Sequence, residues 1–173
     1  ESCPVGSVTD TLTAAGGSKC TACEAGRRSS GPTLECEDCT RGRYSSLAGS
    51  EHCNNCTAGE YQDTNGQSSC IKCAAARFST TVAACSSAAC EDCAEGKFQD
   101  LDGQSFCKSC AAGKKRSTSD SADKASSCID CAAGLFSSIE SAACEACPVG
   151  SVTDTLADAG GSKCTACEAG RRS

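Results

Sequence analysis

The chain has 173 residues and a formal net charge of −6; 20 residues are Cys, whereas Leu, Ile, Val and Phe together number only 18. So few large apolar side chains cannot wall an active-site cleft in one compact domain, and cross-links must offset the ordering entropy that a core normally offsets. The acidic balance, with pI near 4.8, argues against nucleic acid as a partner, and no apolar run approaches the roughly 20 residues of a membrane span.

In chain order, Glu1 stands just before the first Cys, with no initiator Met or leader, so the chain reads as a mature or excised segment. Cys3 follows alone. Nine CxxC pairs come next: Cys20/Cys23, Cys36/Cys39, Cys53/Cys56, Cys70/Cys73, Cys90/Cys93, Cys107/Cys110, Cys128/Cys131, Cys144/Cys147 and Cys164/Cys167. The pairs recur about every 18 residues, so the chain reads as an array of short units. Three residues after the second Cys stands Gly: Gly6, Gly26, Gly42, Gly59, Gly96, Gly113, Gly134, Gly150 and Gly170, with Ala76 the exception. A fixed Gly marks a positive φ or a close backbone approach. Two residues later an aromatic often follows, at Tyr44, Tyr61, Phe78, Phe98 and Phe136, placed to cover a disulfide. Asn65-Gly66 and Asp102-Gly103 predict tight hairpin turns. The expected fold is therefore small and disulfide-rich: short β-hairpins with little or no helix, in an elongated rod or solenoid of about 18-residue units. Each unit is nearly self-standing, its stability summed with that of its neighbours.

A longer period lies above this one. Residues 1–29 match 145–173 at 26 of 29 positions. The chain thus divides into 1–144, one long repeat of eight short units, and 145–173, the start of a near-identical second. Neither end carries an atypical capping unit, which suggests a window on a longer array.

CxxC pairs admit three chemistries. A zinc ribbon uses two such pairs and then ends, whereas this ladder is even and uninterrupted, and the single His52 supplies no mixed ligand set. A redox CxxC opens a helix in a βαβ domain, which this composition cannot build. Structural disulfides in an oxidising compartment remain. The simplest pattern consistent with the repeat joins the second Cys of one pair to the first of the next. It reads Cys3–Cys20, Cys23–Cys36, Cys39–Cys53, Cys56–Cys70, Cys73–Cys90, Cys93–Cys107, Cys110–Cys128, Cys131–Cys144 and Cys147–Cys164. Cys85 or Cys90 could close the loop from Cys73. Cys90 is preferred because SAAC precedes CEDC there, as SAAC precedes CEAC at Cys144. Cys85 is then unpaired or intermolecular, and Cys167 has no downstream partner.

The run C-x2-C-x2-G-x-[YF]-x(4–5)-G-x3-C-x2-C, as in Cys53–Cys73 and Cys90–Cys110, resembles the ephrin-receptor-like cysteine-rich repeat. That repeat is related to the first module of TNF-receptor cysteine-rich domains. The resemblance covers the whole chain and implies rod-like extracellular segments. The chain lacks the interlocked six-Cys units of TNF-receptor domains, so no ligand-binding residue carries over. Similar tandem repeats also occur in large surface proteins of single-celled eukaryotes.

The surface is rich in hydroxyls, with 40 Ser and Thr residues. Ser45, Ser46, Ser79, Thr80, Ser137 and Ser138 follow register aromatics and form a candidate stripe for O-linked glycans. Asn55-Cys56-Thr57 is an N-glycosylation sequon. Basic pairs at Arg27-Arg28, Arg41/Arg43 and Lys114-Lys115-Arg116 could touch acidic glycans or simply be solvated. No Ser/His/Asp triad and no phosphate loop is present, so no catalysis, cofactor or metal is expected. The sequence points to a secreted or cell-surface structural protein: a disulfide-stapled rod whose partners are copies of itself and attached glycans, assembling into a fibre, stalk or coat. The alternative is a receptor or adhesion ectodomain acting as a spacer or protein-ligand binder.

Overall fold

The computed structural model describes residues 3–9, 19–31, 35–117 and 126–168. Register Gly170 lies outside them. The chain falls into two compact bodies, Glu1–Cys73 with Ser79–Cys90, and Ala74–Phe78 with Glu91–Ser173.

Among the described residues there are nine two-stranded antiparallel sheets and one helical turn. Each sheet is a strand of two or three residues after the register glycine, paired with the CxxC segment downstream. Ser7–Thr9 pairs with Cys20–Ala22, for example, and Lys114–Arg116 with Cys128–Asp130. Strands this short would not hold alone. A disulfide closes each loop: Cys3–Cys20, Cys23–Cys36, Cys39–Cys53, Cys56–Cys70, Cys73–Cys90, Cys93–Cys107, Cys110–Cys128, Cys131–Cys144 and Cys147–Cys164. These nine loops are numbered here as repeats 1 to 9. Their bonds span 13 to 18 residues. Each is worth about 3 kcal/mol if the effect comes from loop-closure entropy in the denatured chain. The helical element is the 3-10 turn Ser87–Ala89, capped by the Ser86 hydroxyl, which accepts from the Ala88 N–H at 3.1 Å.

The buried apolar set is mostly cysteine. Cys23, Cys39, Cys56, Cys73, Cys93, Cys110 and Cys131, each the second Cys of a pair, are all buried. The register aromatics are only half-buried. Phe78 shows what they do: it packs against Ala76 and the Cys93–Cys107 disulfide of repeat 6.

The hairpins stack mainly through backbone. In the first body, the N–H groups of Gly6, Gly26, Gly42 and Gly59 donate to the carbonyls of Ser29, Ser45, Gln62 and Ser79 in the following repeat, each at 2.8 Å. In the second body, Ala76 and Gly113 donate to Gln99 and Ser137 at 2.7 and 2.9 Å. A further contact skips one repeat. Gly42, at φ +80°, faces the carbonyl of Ala83, where any Cβ would overlap the backbone oxygen; Gly6 faces Gly49 and Gly26 faces Gly66 in the same way. Gly96 against Glu140 and Gly113 against Gly160 repeat the arrangement in the second body. At Gly6, Gly26, Gly42, Gly96 and Gly113 the glycine is therefore favoured twice, by its left-handed backbone and by the approach of the next-but-one repeat. Ala76 adopts the same left-handed conformation, at φ 71°, and its methyl joins the Phe78 and Cys93 cluster.

Two expectations are corrected here. The repeats do not stand apart from one another: repeats 1, 2, 3 and 7 lie against both the next and the next-but-one repeat. Asn65-Gly66 and Asp102-Gly103 are not two-residue hairpin turns. The paired strands Glu60–Tyr61 and Ile71–Lys72 are joined by the whole segment 62–70. Gly66 and Gly103 have positive φ, but Asn65 and Asp102 do not, so the double positive φ of a type I′ turn is absent. Both side chains instead reach back to the preceding repeat. Asn65 Oδ1 accepts from the Arg41 N–H at 3.0 Å, and Asp102 Oδ1 from the Ala75 N–H at 2.7 Å.

Candidate functional site

The functional candidates lie on the surface of the repeats. The position three residues after the register glycine or Ala76, directly after the aromatic where there is one, is the most informative. It is buried in seven repeats, as Ser29, Ser45, Gln62, Ser79, Gln99, Ser137 and Thr153, and half-buried as Thr9 and Arg116 in two. Ser45 Oγ donates to Ser50 Oγ at 2.6 Å, and Ser50 Oγ in turn donates to the Leu47 carbonyl at 2.8 Å. Ser79 Oγ accepts from the Thr81 N–H at 3.3 Å, and Ser137 Oγ donates to the Lys114 carbonyl at 2.9 Å. Gln99, fully buried, spans its own loop: Nε2 donates to Phe106 O at 2.7 Å and Oε1 accepts from Leu101 N–H at 3.1 Å. Gln62 makes the same pair of bonds to Ser69 and Thr64.

The expected hydroxyl stripe is corrected accordingly. Ser45, Ser79 and Ser137 face inward because their backbone carbonyl or N–H ties one repeat to its neighbour, which leaves the adjoining side chain no route to water. Their neighbours Ser46, Thr80 and Ser138 are exposed. A clue was present in the sequence. Gln stands at this position in two repeats, and residues as different as Ser and Gln share a position when each can satisfy the same loop backbone.

Asn55 is exposed on the strand Asn54–Asn55, opposite Arg43. The middle sequon residue, Cys56, has no exposed surface, and Thr57 Oγ1 donates to Glu60 Oε2 at 3.1 Å. Cys85 is an exposed free thiol and Cys167 a half-buried one.

The basic residues are drawn into cross-strand pairs. Arg27 Nε lies 2.8 Å from Asp38, Arg28 2.7 Å from Glu37, and Lys114 2.7 Å from Asp130. Arg77 Nε lies 2.9 Å from Asp92 Oδ1 without the alignment of a hydrogen bond, so that pair is purely electrostatic. Arg116 is used structurally, donating to the Cys93 carbonyl at 2.6 Å. Pairs this exposed contribute little stability, but they set the register between opposite strands. Three carboxyls titrate below their ordinary values. Asp100 is held down by the Lys108 ammonium at 2.5 Å, and Asp154 by the hydroxyl and N–H of Ser162. Glu140 is held down by the Ser109 hydroxyl and, secondarily, by the charge of Lys97. His52 is a surface residue, 3.6 Å from Glu51.

A shallow depression of about 350 Å³ in the second body is lined by Gly134, Pro148, Val149, Val152, Thr153 and Leu156, among others, none of them an acid or a base. Among the described residues no three His, Cys, Asp or Glu side chains gather as a metal site, and no helix is long and apolar enough to cross a membrane.

The chain is similar to known proteins over part of its length. Residues 42–90, from register Gly42 through the Cys56–Cys70 and Cys73–Cys90 disulfides, match the family described as tyrosine-protein kinase ephrin type A/B receptor-like. A search of the curated proteins returns no match. The ephrin-receptor-like character and the tandem disulfides are those of an extracellular type of cysteine-rich module.

Proposed function

We propose that the chain is a structural segment of a secreted or cell-surface protein, a disulfide-stapled rod that assembles into a fibre, stalk or surface coat. One observation carries this reading: within each body, neighbouring repeats are joined largely by backbone hydrogen bonds, and several also meet the next-but-one repeat through backbone. Such stacking depends little on the outermost side chains, so it can be extended while those residues vary. In this reading the chain performs no catalysis, and its work lies in its length and surface. Exposed Cys85 supplies a thiol for cross-linking one chain to another. Electron microscopy of the native material tests the proposal: filaments with a regular axial repeat support it, and dispersed single chains would overturn it. Non-reducing gels test the cross-link separately, since a Cys85→Ser variant should lose any disulfide-linked dimer that the natural chain forms.

The match of residues 42–90 favours a second reading, in which the array is a spacer or protein-binding stretch in a receptor or adhesion ectodomain. A membrane span and a distinct head domain in the complete gene product would support it.

A further inference from the structure

Among the described residues, five repeats carry a basic residue just after the register position: Arg27, Arg43, Arg77, Lys97 and Lys114. Across the hairpin, each faces the residue two beyond the next first Cys: Asp38, Asn55, Asp92, Ser109 and Asp130. In three of the five a cross-strand ion pair occupies the position. In repeat 6 Ser109 turns to Glu140 instead, and in repeat 3 an amide stands where those three have a carboxylate. The Asn55 side chain is exposed and makes no hydrogen bond or ion pair, so adding a group at its Nδ2 would break nothing. Thr57, two residues on, completes the N-x-T triplet that the glycosylation machinery recognises.

We propose that Asn55 carries an N-linked oligosaccharide, attached before the Cys56–Cys70 bond closes. The proposal rests on the extracellular reading above. In the transfer, the anomeric carbon of a lipid-pyrophosphate-linked oligosaccharide forms a bond to Asn55 Nδ2. Its bond to the pyrophosphate oxygen breaks, the amide gives up one proton, and the lipid pyrophosphate leaves. Acceptor recognition needs the Thr57 hydroxyl and a pliable backbone, and the folded hairpin withholds both. Thr57 Oγ1 is bound to Glu60, the Cys56 N–H donates to the Gly42 carbonyl at 2.9 Å, and the Cys56 sulfur is buried in its disulfide. The order is therefore glycan first and disulfide second. The finished hairpin tolerates the sugar because Asn55 points to water, opposite the exposed Arg43.

The test begins with the full chain secreted from eukaryotic cells. Peptide N-glycosidase should lower its mass and convert Asn55 to Asp in the peptide map. Asn55→Gln and Thr57→Ala should abolish the shift, whereas Thr57→Ser should keep it. Asn55→Gln changes an exposed side chain without hydrogen bonds, so loss of folding does not confuse the result. An unmodified Asn55 in the secreted chain overturns the proposal. For the order of events, unglycosylated chain is offered to an oligosaccharyltransferase with its lipid-linked donor. The oxidised chain should stay bare and the reduced chain become modified; transfer to the oxidised chain overturns the order. Thiol counting on the secreted sample separates the two levels. All nine disulfides intact with Asn55 bare refutes the glycan alone, while reduced cysteines refute the extracellular reading beneath it.

Discussion

Repeats 1 and 9 are nearly the same sequence in two different settings. Both close a loop of separation 17, Cys3–Cys20 and Cys147–Cys164, and their hairpins pair in identical register, Val8 with Thr21 and Val152 with Thr165. Yet Gly6 is buried against the carbonyl of Gly49, two repeats along, whereas Gly150, beyond which no further repeat is described, has nothing near its Cβ position. Cys3 is buried and Cys147 half-buried; Val5 is 50% exposed and Val149 fully so. The hairpin is thus a local product of spacing, disulfide and turn. Burial is conferred from outside, by the repeat two places along.

The largest expected effect breaks this comparison at its staples. Replacing Cys3 and Cys20 together by Ser, or Cys147 and Cys164, removes loops of equal separation and should cost about 3 kcal/mol in each case from loop entropy. The first pair should cost more than the second, because Cys3 is also packed beneath its neighbours. Denaturant unfolding of the two variants measures the difference, and equal losses would mean that the cover over repeat 1 contributes nothing.

Glycine substitution isolates the cover itself. Gly150→Ala places an L-residue at φ +85° and should cost about 1–2 kcal/mol. Gly6→Ala has the same backbone term and also drives a methyl into the Gly49 carbonyl, adding roughly 1–3 kcal/mol of overpacking. Protease sensitivity should then rise around residues 47–50 in the Gly6 variant and stay unchanged at the same place in the Gly150 variant.

Gln99→Ala tests whether the buried polar position serves its own loop. It leaves the Phe106 carbonyl and the Leu101 N–H without their partner and should cost about 1–3 kcal/mol. Amide exchange should quicken at Leu101, while the Ala76 N–H, whose acceptor is the Gln99 backbone carbonyl, should exchange nearly as before.

The smallest effect is that of pH, and it reads a next-but-one contact. Glu140 of repeat 8 accepts from Ser109 and lies 3.7 Å from Lys97 of the repeat 6 hairpin. Its folded-state pKa lies below the ordinary glutamate value of 4.5. Its contribution to stability is therefore complete above that value and disappears as pH falls through the lower, folded value. The melting temperature of Glu140→Gln should already lie slightly below that of the parent at neutral pH. The two should converge in acid, because the parent then loses the same charge. The group is exposed, so the gap stays small and should shrink further with salt.

Local order was legible along the chain because it is written in short spacings. The Gly three residues after each second Cys, the short strand that follows it and the CxxC segment that answers across the hairpin all sit within one loop. At this scale chain connectivity leaves few alternatives. The position after the aromatic was misjudged for a related reason. Ser45, Ser79 and Ser137 look like surface hydroxyls within one repeat, and only the adjoining repeat buries them.

What the sequence alone determined is a ladder of small hairpins with little helix, its register marked by Gly and punctuated by cysteines. What only the tertiary structure decided is which faces of those hairpins meet. Much of the meeting surface consists of backbone N–H and carbonyl groups, which nearly every residue possesses, so no side-chain pattern announces it. A register Gly shows that something must come close; it does not show that for Gly6 the intruder is the carbonyl of Gly49, two repeats away.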